Sequence, residues 1–369
     1  MIILFAIYVL VCLFGVKIAA KKNKKSEKEK HSNSLLDRER TWHDYISPQK
    51  TTSIKGLFVI LVFFSHYSPY FVHTVSDAFL YEKIANFGQL MVVMFLFCSG
   101  YGVMESAQKK GLNYVINMPV QRIIKLTVDY SAAMILFIIM NTCYGKTYNL
   151  KHILLSFIDL ADVGNRNWYF FAVLCTYIFS YIALMVSKNN KYISASIVTV
   201  LCLVYIIVVQ AYREFWWFDT ILCYAFGMWF SVFREVFEKI VQRNIFSWFI
   251  CLCLSGTGFV FSYLNQNINF AFHEAACFML IIFILILTMK VSVDNIIINK
   301  AGKMIFGIYV LQRIPFSILY NAGLTVTHPY ISFVVSLAAT VGLAAVYTKF
   351  MGVTSKFFKK LAVQIPDVQ

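Results

Sequence analysis

Lys55 and His66 stand in the stretch SIKGLFVILVFFSHYSPYFVH, which is apolar for most of its length. An imidazole titrates near neutrality, so it can take a proton from a hydroxyl and hand it on. A lysine keeps its positive charge and suits a phosphate. At about 100° per residue the eleven steps between them return to within ~20° of the starting direction. Both groups therefore project from one helical face, ~16 Å apart along the axis. A protonatable ring half-way across a hydrocarbon layer is costly, and it marks a functional site.

The elements that must position these groups are membrane-spanning helices. The chain has 369 residues, of which 59% are hydrophobic and 14% charged, and its mean hydropathy is +0.68. Soluble domains carry about 25% charged residues and shorter apolar runs, so an all-α polytopic transmembrane bundle is predicted. Met1 to Ala20 is apolar and is followed at once by KKNKKSEKEK. Positive charge after the apolar run, with no charged segment before it, predicts an uncleaved anchor with its N-terminus outside, not a signal peptide. Residues 21–50 form a charged cytoplasmic linker. Ten further spans are predicted at Ile54–His73, Phe87–Ser106, Leu126–Tyr144, Trp168–Ser187, Tyr192–Ala211, Trp216–Phe233, Ile245–Leu264, Phe270–Met289, Met304–Ala322 and Tyr330–Phe350. Every second loop between them is basic, which is the positive-inside pattern and places the C-terminal tail, 351–369, in the cytoplasm. The net charge of +15 thus reports topology and anionic lipid, not a nucleic-acid partner. The nine cysteines are scattered in apolar runs without metal spacing, and no metal is implied. One long outward loop, Gly145 to Asn167, offers Ile153, Leu154, Phe157, Ile158 and Leu160 as an amphipathic piece suited to the interface.

KGLFVILVFFSH, MFLFCSGY, PVQRIIKL, NWYFF and GKMIFGIYVLQ follow one another along the chain. Together they resemble the integral-membrane acyltransferase 3 family over about Thr51 to Phe350, which predicts a membrane domain at 51–350. The family's first core helix reads R-G-…-H, matched here by Lys55, Gly56 and His66. Its second-helix signature F-F-x-x-S-G-Y is matched through Phe95, Phe97, Ser99, Gly100 and Tyr101. Arg122 matches the basic residue after that helix, and Trp168, Tyr169 and Phe170 match the W-[FY]-[LF] opening of the fourth core helix. The resemblance implies transfer of an acyl group, usually acetyl from acetyl-CoA or another acyl-CoA, to a hydroxyl of a cell-envelope polysaccharide or its lipid-linked precursor. The acyl-CoA is a substrate, and no permanently bound cofactor is implied. His66 is then the general base or acyl relay, while Lys55 and Arg122 serve the donor. Lys55 stands where the family more often has Arg, which removes the planar fork that grips phosphate at two points. Gln312 stands where a histidine is common; it hydrogen-bonds but shuttles no proton, and is assigned no catalysis.

Several polar groups keep two readings. Arg122 is equally a phosphate contact and a topology signal. Arg166, beside Trp168, faces an outward acceptor or orients its loop. Arg313, a full charge inside a span, points into a cavity or pairs with another helix. His273 and Glu274 are consecutive, and their side chains diverge by about 100°. Glu105, Arg213, Glu214 and Asp219 lie near span ends, where solvation explains them, and Trp216 and Trp217 fit an interfacial belt. Two other functions fit the same helices: an envelope-glycan transporter or flippase, and a small-molecule O-acyltransferase. The expected partners of the protein are the cell membrane's bilayer, acyl-CoA, a glycan acceptor and proteins of an envelope-glycan assembly pathway.

Overall fold

Long apolar runs leave the backbone no partner but itself, and helices result. The computed structural model describes residues 2–14, 16–18, 42, 44–70, 75–165, 167–293 and 295–362, with backbone alone for 2, 3, 17, 18 and 75–86. The elements are α1 Ile2–Leu13, β1 Val16–Ile18, α2 Pro48–Tyr67, α3 Val75–Met118, a π-helical turn Pro119–Ile124, α4 Lys125–Cys143, α5 Leu150–Ser156, α6 Trp168–Val186, α7 Lys191–Val209, α8 Leu222–Val241, α9 Ile245–Leu264, α10 Phe270–Thr288, β2 Val291–Val293, α11 Ile296–Lys303, α12 Ile305–Leu311, α13 Arg313–Asn321, α14 Leu324–Thr327 and α15 Pro329–Lys360. The fold is an all-α polytopic membrane bundle. Among the described residues, seven helical stretches are long and apolar enough to cross a bilayer, and one of them, Phe87–Cys143, contains two of the predicted spans.

Where helix ends differ from expectation, prolines and caps account for it. α2 starts at Pro48, six residues before the predicted Ile54, and stops at Tyr67 before Pro69. The predicted end, His73, lies outside the described residues, as do most of the linker 21–50 and the end of the tail. The span predicted over Met304–Ala322 is divided into α12 and α13 at Gln312. Pro315 has no N–H for the carbonyl of Leu311, so the ladder fails there. Pro119 likewise opens the π-helical turn that carries Arg122. Asn149, Asn190, Asn244 and Asn269 cap α5, α7, α9 and α10 with side-chain oxygens.

The chain forms two compact units. The first comprises Met1–Phe58 and Phe233–Lys303. In it the start of α2 lies directly on α11: a Cβ on Gly56 would stand 2.0 Å from the carbonyl oxygen of Ile298, and one on Gly302 would stand 2.0 Å from that of Thr52. Ser53 Oγ donates to Asn299 Oδ1 at 2.5 Å across the same contact. Such backbone approach is how helices associate in lipid. β1 pairs antiparallel with β2, and α9 and α10 form a hairpin pinned by Trp248 Nε1 donating to the Ile286 carbonyl at 2.8 Å. His273 and Glu274 are buried on α10 in this unit.

The second unit comprises Val59–Val232 and Met304–Gln369. Here α3 crosses α8 through glycine: a Cβ on Gly100 would stand 2.0 Å from the Tyr224 carbonyl oxygen, and one on Gly227 2.1 Å from that of Phe97. The core is aromatic. Tyr67 packs edge-on against Phe316 and Phe333, and Phe97 against Phe230. Asp129, fully buried on α4, is satisfied by Lys125 at 2.5 Å and by Thr354 Oγ1 at 2.6 Å. Exposed Val200, Leu203, Val204 and Ile207 give α7 an apolar outer face suited to lipid tails.

Candidate active site

His66 closes the second-unit part of α2, one residue before the helix ends, and its ring is half-buried. Its Nδ1 lies 2.8 Å from Nε2 of Gln312. The same Gln312 nitrogen donates to the Tyr309 carbonyl at 3.0 Å. An amide nitrogen only donates, so both of its hydrogens are used and Nδ1 is an acceptor. The neutral ring then carries its proton on Nε2. Gln312 is completely buried and its Oε1 has no hydrogen-bond partner. The break between α12 and α13 is what turns Gln312 toward α2. Arg313, next along, lies within electrostatic range of both His66 and Tyr309.

Ring contacts lead from His66 to the other sequence motifs. The His66 and Tyr309 rings lie 6.0 Å apart, and Tyr309 meets Tyr169 edge-on at 5.4 Å. Tyr169 in turn touches Trp168 at 6.0 Å and Phe95 at 6.1 Å, with Ser99 within electrostatic range of its phenol. Four motif segments, each distant in sequence, thus converge on the Tyr169–Tyr309 pair. Of the expected site residues, His66, Ser99, Trp168 and Arg313 belong to this convergence. Gly100 serves the helix crossing, and Tyr101 packs beside Phe97 in the core. Arg122 lies apart, its guanidinium 6.0 Å from the Tyr114 ring and 5.8 Å from that of Tyr177. Among the described residues no carboxylate comes within 4 Å of it. Lys55 sits on α2 in the first unit, before Gly56, and α2 is helical throughout from Lys55 to His66. Arg166 lies outside the described residues.

Behind Trp168 the 145–167 loop and the segment before α8 enclose a cleft of about 220 Å³, walled by Asp159, Asp162, Asn165, Trp168, Arg213 and Trp216 among others. α5 stops at Ser156, part-way through the predicted amphipathic run, because the chain turns to a left-handed Asp159 with φ +63°. That turn seats Asp159 against Tyr130, whose hydroxyl donates to Oδ1 at 2.6 Å, while Oδ2 has no partner. Burial pushes the Asp159 carboxyl up to about 7. Asn165 Nδ2 donates to the Val310 carbonyl at 3.0 Å, two residues from Gln312, and its Oδ1 is unpartnered.

Two expectations change. Asp219 is 1% exposed, so solvation does not explain it. Arg213 and Trp216–Trp217 help wall the cleft, and the Arg213 guanidinium stacks 4.7 Å from the Trp217 ring centre. Gln312, singled out by the family motif as a hydrogen-bonding group without catalysis, is the residue that holds His66. Asp159 and Asn165 were not legible as site residues; the nearest sequence signal was the Asn-rich run before Trp168. Among the described residues no group of three His, Cys, Asp or Glu side chains could hold a metal.

A family model described as an acyltransferase domain, acyltransferase 3, matches residues 52–349. No curated protein and no solved structure matches the chain. The match spans the helices that carry His66, Ser99, Arg122, Tyr169 and Gln312, and the chain therefore belongs to the acyltransferase 3 family of multi-pass membrane acyltransferases.

Proposed function

We propose that the protein moves an acyl group, acetyl from acetyl-CoA, onto a hydroxyl of a cell-envelope glycan or its lipid-linked precursor, with His66 at the reacting centre. The observation that carries this reading is the imidazole held by a buried amide where four motif segments meet. The hydroxyl loses its proton to His66 as its oxygen attacks the thioester carbonyl. The C–S bond then breaks, and the ring returns the proton to the departing thiolate, so an ester and a free thiol result. To act as base the ring needs its proton on Nδ1. Half a turn of the Gln312 amide, which gives up its bond to the Tyr309 carbonyl, offers the unpartnered Oε1 to that proton and frees the lone pair of the ring's Nε2.

Arg122 and Lys55 serve the donor's phosphates. A guanidinium among tyrosines, with no carboxylate within 4 Å among the described residues, suits an incoming anion. Trp168 and Arg166 belong to the acceptor side, and Arg313, within electrostatic range of the ring, serves the substrate cavity. The enzyme works in the cell membrane with its N-terminus outside and its C-terminus in the cytoplasm, beside proteins of glycan assembly. In this reading residues 1–20 anchor the chain, 21–50 link it, 51–350 form the catalytic membrane domain and 351–369 the tail. The deciding test is His66→Ala in vesicles supplied with acetyl-CoA. Transfer should disappear while the variant inserts normally; an inserted variant that still transfers refutes the assignment.

A further inference from the structure

We infer that the 220 Å³ cleft is a subsite for one uncharged sugar ring of the acceptor. The inference rests on the acyl-transfer reading and assigns the substrate class of its acceptor side. Its size is the first argument: drug-sized pockets run from about 300 to 1,000 Å³, so this cleft suits a single ring. The polar atoms are the second. Asp159 and Asn165 are 6% and 1% exposed, both help wall the cleft, and each holds one oxygen without a partner. Tyr130 donates to Asp159 Oδ1, so the protonated carboxyl carries its hydrogen on the orphaned Oδ2, while the orphaned Asn165 Oδ1 accepts; a hydroxyl group, acceptor and donor at once, matches both. An anionic ring would bring further acceptors against Asp162 and Glu214. A cationic one would meet Arg213 in the wall, stacked on Trp217. Aromatic surface is the third argument. Trp216 is 40% exposed and offers an indole face to the apolar C–H side of a sugar, with Trp168 and Trp217 buried beside it. Finally, the cleft is connected to the reacting centre through packed side chains. Asn165 is bonded to Val310 on α12, and Trp168 reaches His66 through Tyr169 and Tyr309.

The test measures tryptophan-fluorescence titration of the full-length protein in nanodiscs with a neutral gluco-trisaccharide and with trigalacturonate. The neutral trisaccharide should bind at millimolar concentration and the uronate at least tenfold more weakly. Trp216→Ala should weaken neutral binding tenfold or more, and Trp216→Phe should restore most of it. Because Trp216 is exposed, these variants leave the fold intact. Preference for the uronate, absence of binding by the neutral sugar, or unchanged binding in Trp216→Ala overturns the inference. His66→Ala separates the two readings: it should bind the trisaccharide as the wild type does. Neutral binding with no acyl transfer by the wild type to any glycan leaves the subsite standing and removes the enzymatic reading.

Discussion

Replacing Gln312 by methionine keeps the side chain's length and removes both amide donors. The wild-type amide makes two buried hydrogen bonds, at 2.8 Å to His66 Nδ1 and 3.0 Å to the Tyr309 carbonyl. Each such bond contributes about 1 kcal/mol net, and a buried group left without its partner costs about 1–3 kcal/mol. Against this, the substitution also removes the unpartnered Oε1, which returns part of that cost. The balance is a loss of about 1–3 kcal/mol, a shift of a few degrees in Tm. Activity should fall further, because a ring with a free Nδ1 no longer has its tautomer or orientation fixed. With 1.36 kcal/mol per tenfold, a loss of that size in the transition state lowers kcat by about 10–100-fold. KM for acyl-CoA should stay within about twofold, since the amide bonds the ring on Nδ1, the nitrogen away from the reacting Nε2. Thiol release from acetyl-CoA, measured on protein in nanodiscs, reads both constants. Gln312→Glu is the decisive partner. Its carboxylate accepts from Nδ1–H as the turned amide does, with the Arg313 charge in range, so it should retain well above the methionine variant's rate. A fully active methionine variant, or a glutamate variant as slow as methionine while correctly inserted, refutes the positioning argument.

Two further outcomes are expected. Asp159 holds its proton up to about pH 7 in the folded state, against about 3.9 in an unfolded chain. The stability this confers is complete below pH ~4 and is lost as pH rises through about 7, a span worth on the order of 4 kcal/mol. Asp159→Asn, neutral throughout, should flatten Tm against pH across that window, and an unchanged slope would show that the carboxyl is not shielded. Arg122→Gln should raise KM for acetyl-CoA about 10–100-fold with a smaller effect on kcat, as expected for a lost contact to phosphate; an equal fall in kcat and kcat/KM, with KM unchanged, would assign the guanidinium to the chemistry instead.

How much of this was legible follows from the range of each signal. Hydropathy is local, so the all-α membrane bundle could be reasoned from the sequence, though seven stretches among the described residues are long and apolar enough to cross where ten spans and an anchor were predicted; the spacing of Lys55, Gly56 and His66 needs nothing beyond one helix. The resemblance likewise supplied Ser99, Trp168 and Tyr169, because those residues sit in contiguous motifs. What the sequence lacks is the pairing between helices. Gln312 meets His66 across 246 positions, and it does so because the chain yields just before Pro315, a break that periodicity alone takes for an uninterrupted span. Asp159 was hidden for a different reason. Its neighbours look like an amphipathic helix, and nothing in their pattern announces a residue at φ +63° whose carboxyl is caught by Tyr130 on α4.

The same contrast explains why a histidine at position 312 and the glutamine found here are not equivalent. A histidine there could pass a proton on from Nδ1 of His66, and the two rings would share one titration. An amide holds no proton to pass, so whatever proton His66 takes must leave by the nitrogen that received it. Base and acid are then one atom, Nε2, acting first on the hydroxyl and then on the thiolate. That requires both reacting groups to reach the same side of the ring, the side turned away from Gln312. Donor and acceptor must therefore meet there together in a ternary complex, and initial-rate kinetics should give intersecting rather than parallel lines when both are varied. Parallel lines would mean that the acyl group rests on the protein between the two substrates, and would make His66 the relay rather than the base.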